Sequence, residues 1–267
     1  DPIGLFKDDL LIDILGGFDD STDFGKNTTL QRKFTTTSPT DTYNSNEWVS
    51  LASDTFSRLG SHIVTGTNTF LEITDTNWST VDNWSFNAVP SSGDDVIISV
   101  NKTINTSENI SLGNITLENN ASLTISSGAV TVNTAVINSG ASLIAEATFT
   151  GTVTYKRNLT AISGDTEGWH LVASPVSGET YDDAYVTAEG IASGSGNNRG
   201  IASYVTNGDL WDYMQAGESF TFTSGHGYAM KRATTGQVKF IGNLNTDDLG
   251  VDATISTAGN GFNLLGN

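Results

Sequence analysis

The sequence predicts an all-β protein. Three observations carry that expectation. The 267 residues include 28 glycines and only 16% charged residues, with Thr, Ser and Asn abundant throughout. That is the composition of pleated strands joined by tight bends. Apolar residues recur with period two through the middle of the chain, as strands buried on one face require. Turn signals such as Asn207-Gly208 punctuate the apolar runs. Cysteine is absent, so no disulfide framework or thiolate metal site supports the fold, and stability rests on packing and hydrogen bonds.

The length permits two or three domains with real cores. Twelve Lys+Arg against 30 Asp+Glu leave a net charge of −18, which repels nucleic-acid phosphates and acidic membrane surfaces unless the basic residues cluster. They do not. Gln31-Arg32-Lys33, Lys156-Arg157 and Lys231-Arg232 are isolated and read as solvated strand ends. No apolar run approaches the roughly 18 residues needed to span a bilayer, and no basic segment followed by an apolar one opens the chain. No nucleic-acid partner and no membrane insertion are expected. A targeting signal, if one exists, was removed or lies outside this fragment.

In residues 1–70, Leu10 to Phe18 is a short apolar run closed by glycines, which reads as a buried strand. Thr28 to Phe34 and Asn46 to Leu51 are further strand segments. Ile12-Asp13-Ile14-Leu15-Gly16, Leu30-Gln31-Arg32-Lys33, Glu47-Trp48 and Leu59-Gly60-Ser61-His62 together resemble the second half of a lamin-tail domain, with Gln31 and Leu15 as small departures. The resemblance covers roughly 1–63. It implies a partial immunoglobulin-like sandwich whose other strands precede Asp1, so that open strand edges are left to pair with another chain.

In residues 71–160, Asn77-Trp78 to Asn83-Trp84 and Val89-Pro90 to Asp94-Asp95-Val96-Ile97-Ile98 resemble the opening segment of short β-solenoid modules in cargo of the type IX secretion system. Asn120-Ala121-Ser122-Leu123-Thr124-Ile125 and Gly140-Ala141-Ser142-Leu143-Ile144-Ala145 lie 20 residues apart, the length of one coil of a parallel β-helix. Leu123 and Leu143 are expected at equivalent inward positions, with Val130, Val132, Val136 and Ile137 also facing in. An ordinary β-meander shares the same alternation and stays open as the alternative.

Val153 to Leu159, at the end of that segment, and Gly168 to Val176 also resemble type IX cargo and imply a β-sandwich over residues 161–267. Ala202–Val205, Leu210–Tyr213, Gly225–Lys231 and Val238–Gly242 are its strands, with a tight turn at Gly208 and Asp209. Gly261-Phe262-Asn263-Leu264-Leu265-Gly266-Asn267 echoes Gly168-Trp169-His170-Leu171-Val172-Ala173-Ser174 at a distance of 93 residues. That echo predicts the start of a further module.

Five acid pairs occur, at 8–9, 19–20, 94–95, 182–183 and 247–248. Adjacent strand residues point to opposite faces, so a pair on a strand cannot chelate. The densest loop, Asp19-Asp20-Ser21-Thr22-Asp23, has oxygen ligands for a structural Ca²⁺ at Asp19, Asp20 and Asp23, though not the spacing of an EF-hand. A solvated acidic turn is the other reading. Asp20-Ser21-Thr22 also resembles the O-glycosylation sequon of exported proteins in type IX-secreting bacteria, with Ser21 the acceptor. The three histidines, His62, His170 and His226, are not at metal-ligand spacing. No Gly-x-Ser-x-Gly elbow or phosphate-binding loop occurs. Catalysis and an organic cofactor are not expected. Trp211 and Tyr213 share one face of a strand and offer an aromatic platform for a sugar, unless that face is core.

These readings imply a structural or adhesive segment of a secreted or outer-surface protein of a Gram-negative bacterium. Its partners would be other copies or other surface proteins, joined by β-strand addition. The alternative is a carbohydrate-binding accessory region, taking polysaccharide, of a secreted polysaccharide hydrolase or nuclease.

Overall fold

The computed structural model describes residues 2–17, 26–33, 36, 38–55, 67–164, 166–246 and 256–266. Strands dominate, as expected, and the chain divides into two compact units, Asp1–Thr67 and Asn68–Asn267.

In the first unit, β1 (Ile3–Lys7) and β2 (Leu10–Leu15) form an antiparallel hairpin. Asp8 and Asp9 make its turn at φ 52° and 62°. Paired left-handed residues are what a two-residue hairpin loop demands, and Asp tolerates that conformation. The first acid pair is therefore a turn, and the neighbour of Leu10–Leu15, expected upstream of the chain, lies within it. β3 (Thr28–Arg32) and β4 (Trp48–Ala52) form a second hairpin. Arg32 joins the two, pairing with Asp13 of β2 and donating from Nη2 to Glu47 Oε2 at 2.7 Å. Its guanidinium lies 5.5 Å from the ring centroid of Trp48, opposite it in register. Asp19, Asp20, Ser21, Asp23 and His62 lie outside the described residues.

The second unit opens as a parallel β-solenoid of about three turns. β5 (Asn68–Phe70) and β6 (Val96–Ile98) pair in parallel. The coils follow as β7 (Thr103–Thr106), β8 (Ile110–Ser111), β9 (Asn114–Leu117), β10 (Ser122–Ile125), β11 (Ala129–Ile137), β12 (Ser142–Ala145) and β13 (Thr148–Leu159). Ile104, Leu123 and Leu143 align on one sheet. Val96, Ile115, Ala135 and Val153 align on another. Ile110, Val130 and Phe149 align on a third run. The β-meander is thereby excluded in favour of the stacked coils.

Within β11 the register shifts between Thr131 and Thr134, where the strand turns the corner. The shift changes the phase of the alternation. Val130, Val132, Ala135 and Ile137 are buried, and Val136 points away from the core, contrary to expectation. Leu143 is in register with Leu123 yet only half-buried, because β12 ends its sheet.

Corners repeat with the rungs. Asn101, Asn120 and Gly140 hold the same left-handed corner at φ 60°, 61° and 86°. Asn120 Nδ2 donates to Asn101 Oδ1 at 3.1 Å. Asp95 of the third acid pair accepts from Asn114 N and Nδ2, each at 2.8 Å, and Asn114 Oδ1 accepts from Thr134 Oγ1 at 2.5 Å. Asp95 thus ties one rung to the next, while Asp94 closes its own turn, accepting from Ser91 N at 2.8 Å.

One end of the coil is plugged by Phe70, Trp78 and Trp84, all buried, with Trp84 edge-on to both others at 5.2 and 4.7 Å. Trp84 Nε1 donates to Trp78 O at 2.7 Å. Buried Asn83 fixes the plug: its Oδ1 accepts from Thr74 N at 2.9 Å, and its Nδ2 donates to Asp75 Oδ1 at 2.8 Å. A solenoid needs such a cap because its terminal coil otherwise leaves the core open. The Trp-Trp phrase singled out from sequence is that cap.

At the other end β13 continues past the last coil and pairs antiparallel with β21 (Gly236–Leu244) from Thr152 to Leu159. β15 (Val176–Ser177) extends the same sheet, which therefore runs unbroken from solenoid to C-terminal module, in the order β15-β21-β13-β11-β9-β6-β5. A four-stranded sheet, ordered β14-β20-β17-β18, packs in the same module: β14 (Trp169–Ala173), β17 (Asn198–Val205), β18 (Leu210–Gln215) and β20 (Gly227–Lys231). β16 (Thr180–Tyr181) and β19 (Phe220–Thr221) make a small ladder beside it. Phe222, Tyr228, Met230, Val238 and Phe240 form the core between.

A short helix, α1 (Asp183–Ala188), was not foreseen. Asp182 caps it, accepting from Tyr185 N at 2.9 Å. Beside it, Glu189 accepts from Lys239 N at 2.9 Å, Glu179 accepts from Ile241 N, and Tyr185 Oη donates to Lys239 O at 2.9 Å. These side chains occupy backbone groups of β21 that a neighbouring strand would otherwise take.

Segment 256–266 returns to this module. Gly227 N donates to Leu264 O at 3.1 Å, Gly266 N to Gly225 O at 3.0 Å, and Leu265 bridges His226. The echo of 168–174 in 261–267 is not repeated in structure: the first copy is strand β14, the second lies across the end of β20.

Candidate functional site

Trp211 and Tyr213 of β18 do lie on one face, the outer face of the four-stranded sheet. Alternation puts Leu210, Asp212 and Met214 on the other side. Cross-strand register then assembles the rest of that face. Tyr204 is opposite Trp211, Ala202 opposite Tyr213 and Ala229, and Lys231 opposite Trp169. Tyr213 meets Trp169 edge to face at 5.6 Å, although β17 and β20 separate their strands. The small side chains of Ala202 and Ala229 make this possible. They form a floor that the two rings cover, and they are buried accordingly. Lys231 Nζ stands 5.9 Å from the Trp169 ring, an electrostatically favourable placement. Trp211 packs edge-on against Tyr204 at 5.3 Å and keeps 37% of its surface exposed. The face is therefore covered at Tyr213 and open at Trp211.

β18 is the last strand of its sheet, and a cleft of about 190 Å³ lies between the inner face of β17 and β18 and the β16–β19 ladder. Tyr181 and Phe220 wall it, Ile201 and Met214 floor it, and Ser203, Asp212, Gln215 and Glu218 supply its polar groups. Tyr181 and Phe220 are opposed in register, with rings 5.6 Å apart and inclined by 34°. Glu218 is held in place: its Oε2 accepts from Gln215 N at 2.6 Å, and Glu218 N donates to Gln215 O at 3.2 Å. The neighbouring Gly217 N donates to Asp183 Oδ2 at 2.8 Å. That bond, then the one from Arg199 Nε at 3.0 Å, holds the Asp183 carboxyl below its ordinary value. Burial pushes the Tyr181 phenol up to about 12, aided by the Tyr228 hydroxyl and by the Asp212 and Glu218 carboxylates.

The two described histidines do not converge. His170 Nε2 bonds Thr160 O at 2.9 Å, and His226 lies in the bridge to Leu265. Among the described residues, no three His, Asp or Glu side chains are grouped as metal ligands. Sequence reasoning had Tyr213, whose ring lies on the outer face, and placed Asp212 on the opposite side of the strand, the side that the cleft takes. It missed Tyr181, Glu218 and Phe220. The alternation of Phe220 and Phe222 was a legible strand signal, but nothing local ties it to Tyr181.

No curated protein and no solved structure matches the chain. A family model does match residues 69–267, a span that takes in the solenoid and the C-terminal module together, and the chain belongs to that family, described as a domain of unknown function (DUF8693).

Proposed function

We propose that this chain is a non-catalytic structural and adhesive segment of a secreted or surface-displayed modular protein, of the kind carried by type IX secretion. The observation that carries this reading is the sheet that runs from β5 to β15 without a break. A coil plugged at one end and continued by backbone hydrogen bonds at the other transmits load through the backbone and resists local opening. The strongly acidic composition suits an exposed spacer that stays soluble. Beads carrying the purified chain should be retained on bacterial surfaces or insoluble polysaccharide where a charge-matched inert protein is not. Retention no better than that control, or turnover of polysaccharide or nucleic acid by the chain, overturns the reading.

A second reading is favoured by one observation, the exposure of Trp211 beside Tyr204 on a sheet face. It makes the chain a polysaccharide-binding accessory region, because an open indole face stacks on a sugar ring. Trp211→Ala should then abolish polysaccharide retention and leave retention on cells coated only with protein unchanged.

A further inference from the structure

We propose that the cleft between the inner face of β17 and β18 and the β16–β19 ladder binds a small organic cation, a quaternary or primary ammonium group, between its aromatic walls and its carboxylates. This goes beyond the adhesive reading and does not depend on it. The argument is one of charge complementarity. Asp212 and Glu218 both line the cleft, and no basic side chain does. Two rings, Tyr181 and Phe220, line the same space. Ring faces carry negative potential and attract cations over apolar or anionic groups. An anionic ligand such as a uronate or phosphate would meet two carboxylates and a chain of net charge −18.

The site is also built before any ligand arrives. The bonds between Gln215 and Glu218, and from Gly217 to Asp183, fix the turn that carries Glu218. Tyr181 is buried and pinned by its contacts with Phe222 at 4.5 Å and Phe220. Asp212 and Glu218 line the same cleft as Tyr181. A charge on an edge strand also deters strand addition, which by itself accounts for Asp212. It accounts neither for the tethered Glu218 nor for the aromatic walls.

The test is a titration of the whole chain with choline, its neutral isostere 3,3-dimethylbutan-1-ol, and glucose, read by NMR shifts of the aromatic ring protons and by calorimetry. Choline should bind saturably, and the isostere about tenfold more weakly or less, since it fills the same volume without the charge. Asp212→Asn and Phe220→Ala should each weaken choline binding several-fold. Glu118→Gln, which removes one carboxylate from the solenoid, should leave it unchanged. Both cleft residues are exposed, and equal melting midpoints show that the variants are folded. Equal binding of the isostere or of glucose, no saturable choline binding, or full binding by Asp212→Asn overturns the proposal. None of these outcomes alters the bead-retention result, so the two readings fail separately.

Discussion

Leu123 and Leu143 face each other in parallel register on successive coils, yet Leu123 is 1% exposed and Leu143 is half-buried. The difference comes from position in the stack. β10 has a neighbour on each side, β7 and β12, and β12 has one. Leu123→Ala should therefore cost about 3–5 kcal/mol, and Leu143→Ala about 1–2 kcal/mol, because a cavity near the edge collapses or fills with solvent. Urea unfolding of the 68–267 unit checks this; equal costs would contradict the edge position of β12.

Gly93 and Gly128 both sit at corners with left-handed φ, 87° and 76°. A Cβ at Gly93 would meet open space, whereas one at Gly128 would strike the Glu108 backbone carbonyl of the preceding coil. Each Gly→Ala change carries the left-handed penalty of about 1 kcal/mol. Gly128→Ala adds a backbone clash and should be the more damaging by at least about 1 kcal/mol, since two stacked coils must separate. The comparison isolates coil spacing from backbone strain.

Asn83 is fully buried and satisfies both a carboxylate and backbone N–H groups at the tryptophan plug. Asn83→Ala removes its hydrogen bonds to Thr74, Asp75 and Asn77, each worth about 0.5–1.5 kcal/mol net. We expect loss of roughly that amount at least, with raised exposure of Trp78 and Trp84. A red shift of tryptophan emission below the unfolding transition would report it; unchanged emission and stability would mean the plug holds without Asn83.

Burial, with the nearby Glu189 carboxylate, raises the Glu179 pKa above 4.5, against the lowering effect of the bond from Ile241 N. A carboxyl raised on folding gives its full stability below the unfolded-state pKa and loses it as pH rises through the folded value. Glu179→Gln keeps an acceptor for Ile241 N and removes the charge. The variant should match the parent near about pH 4 and melt higher than it at about pH 7. A melting difference that shrinks as pH rises would reverse the assignment.

Arg32 links both hairpins of the first unit through Asp13 and Glu47. Its guanidinium is mostly shielded, so Arg32→Met leaves two carboxylates without their cation and should destabilise residues 1–67 by about 3 kcal/mol. Hydrogen exchange should quicken in β2–β4 and stay unchanged in β5–β21. Uniform quickening would mean that the two units unfold together.

The sequence by itself determined the strands, their turns and the coil repeat. These are local: alternation fixes which residues share a face, and Asn, Asp and Gly fix where the chain can bend to the left-handed region. The echo between 120–125 and 140–145 therefore located two coils, and the Trp-Asn-Trp phrase located the plug. Tertiary structure decided what local pattern leaves open. Val136 was misplaced because the corner at 131–134 shifts the phase of the alternation, a change visible only once the coils stack. The likeness of 261–267 to 168–174 gave no common structure, because β20 already has β14 as its strand partner and the later segment lies at its end. The cleft needed most from the fold. Tyr181, Asp212, Glu218 and Phe220 come from separate elements that meet only because the β16–β19 ladder lies beside the inner face of β17 and β18, a placement that no single segment encodes.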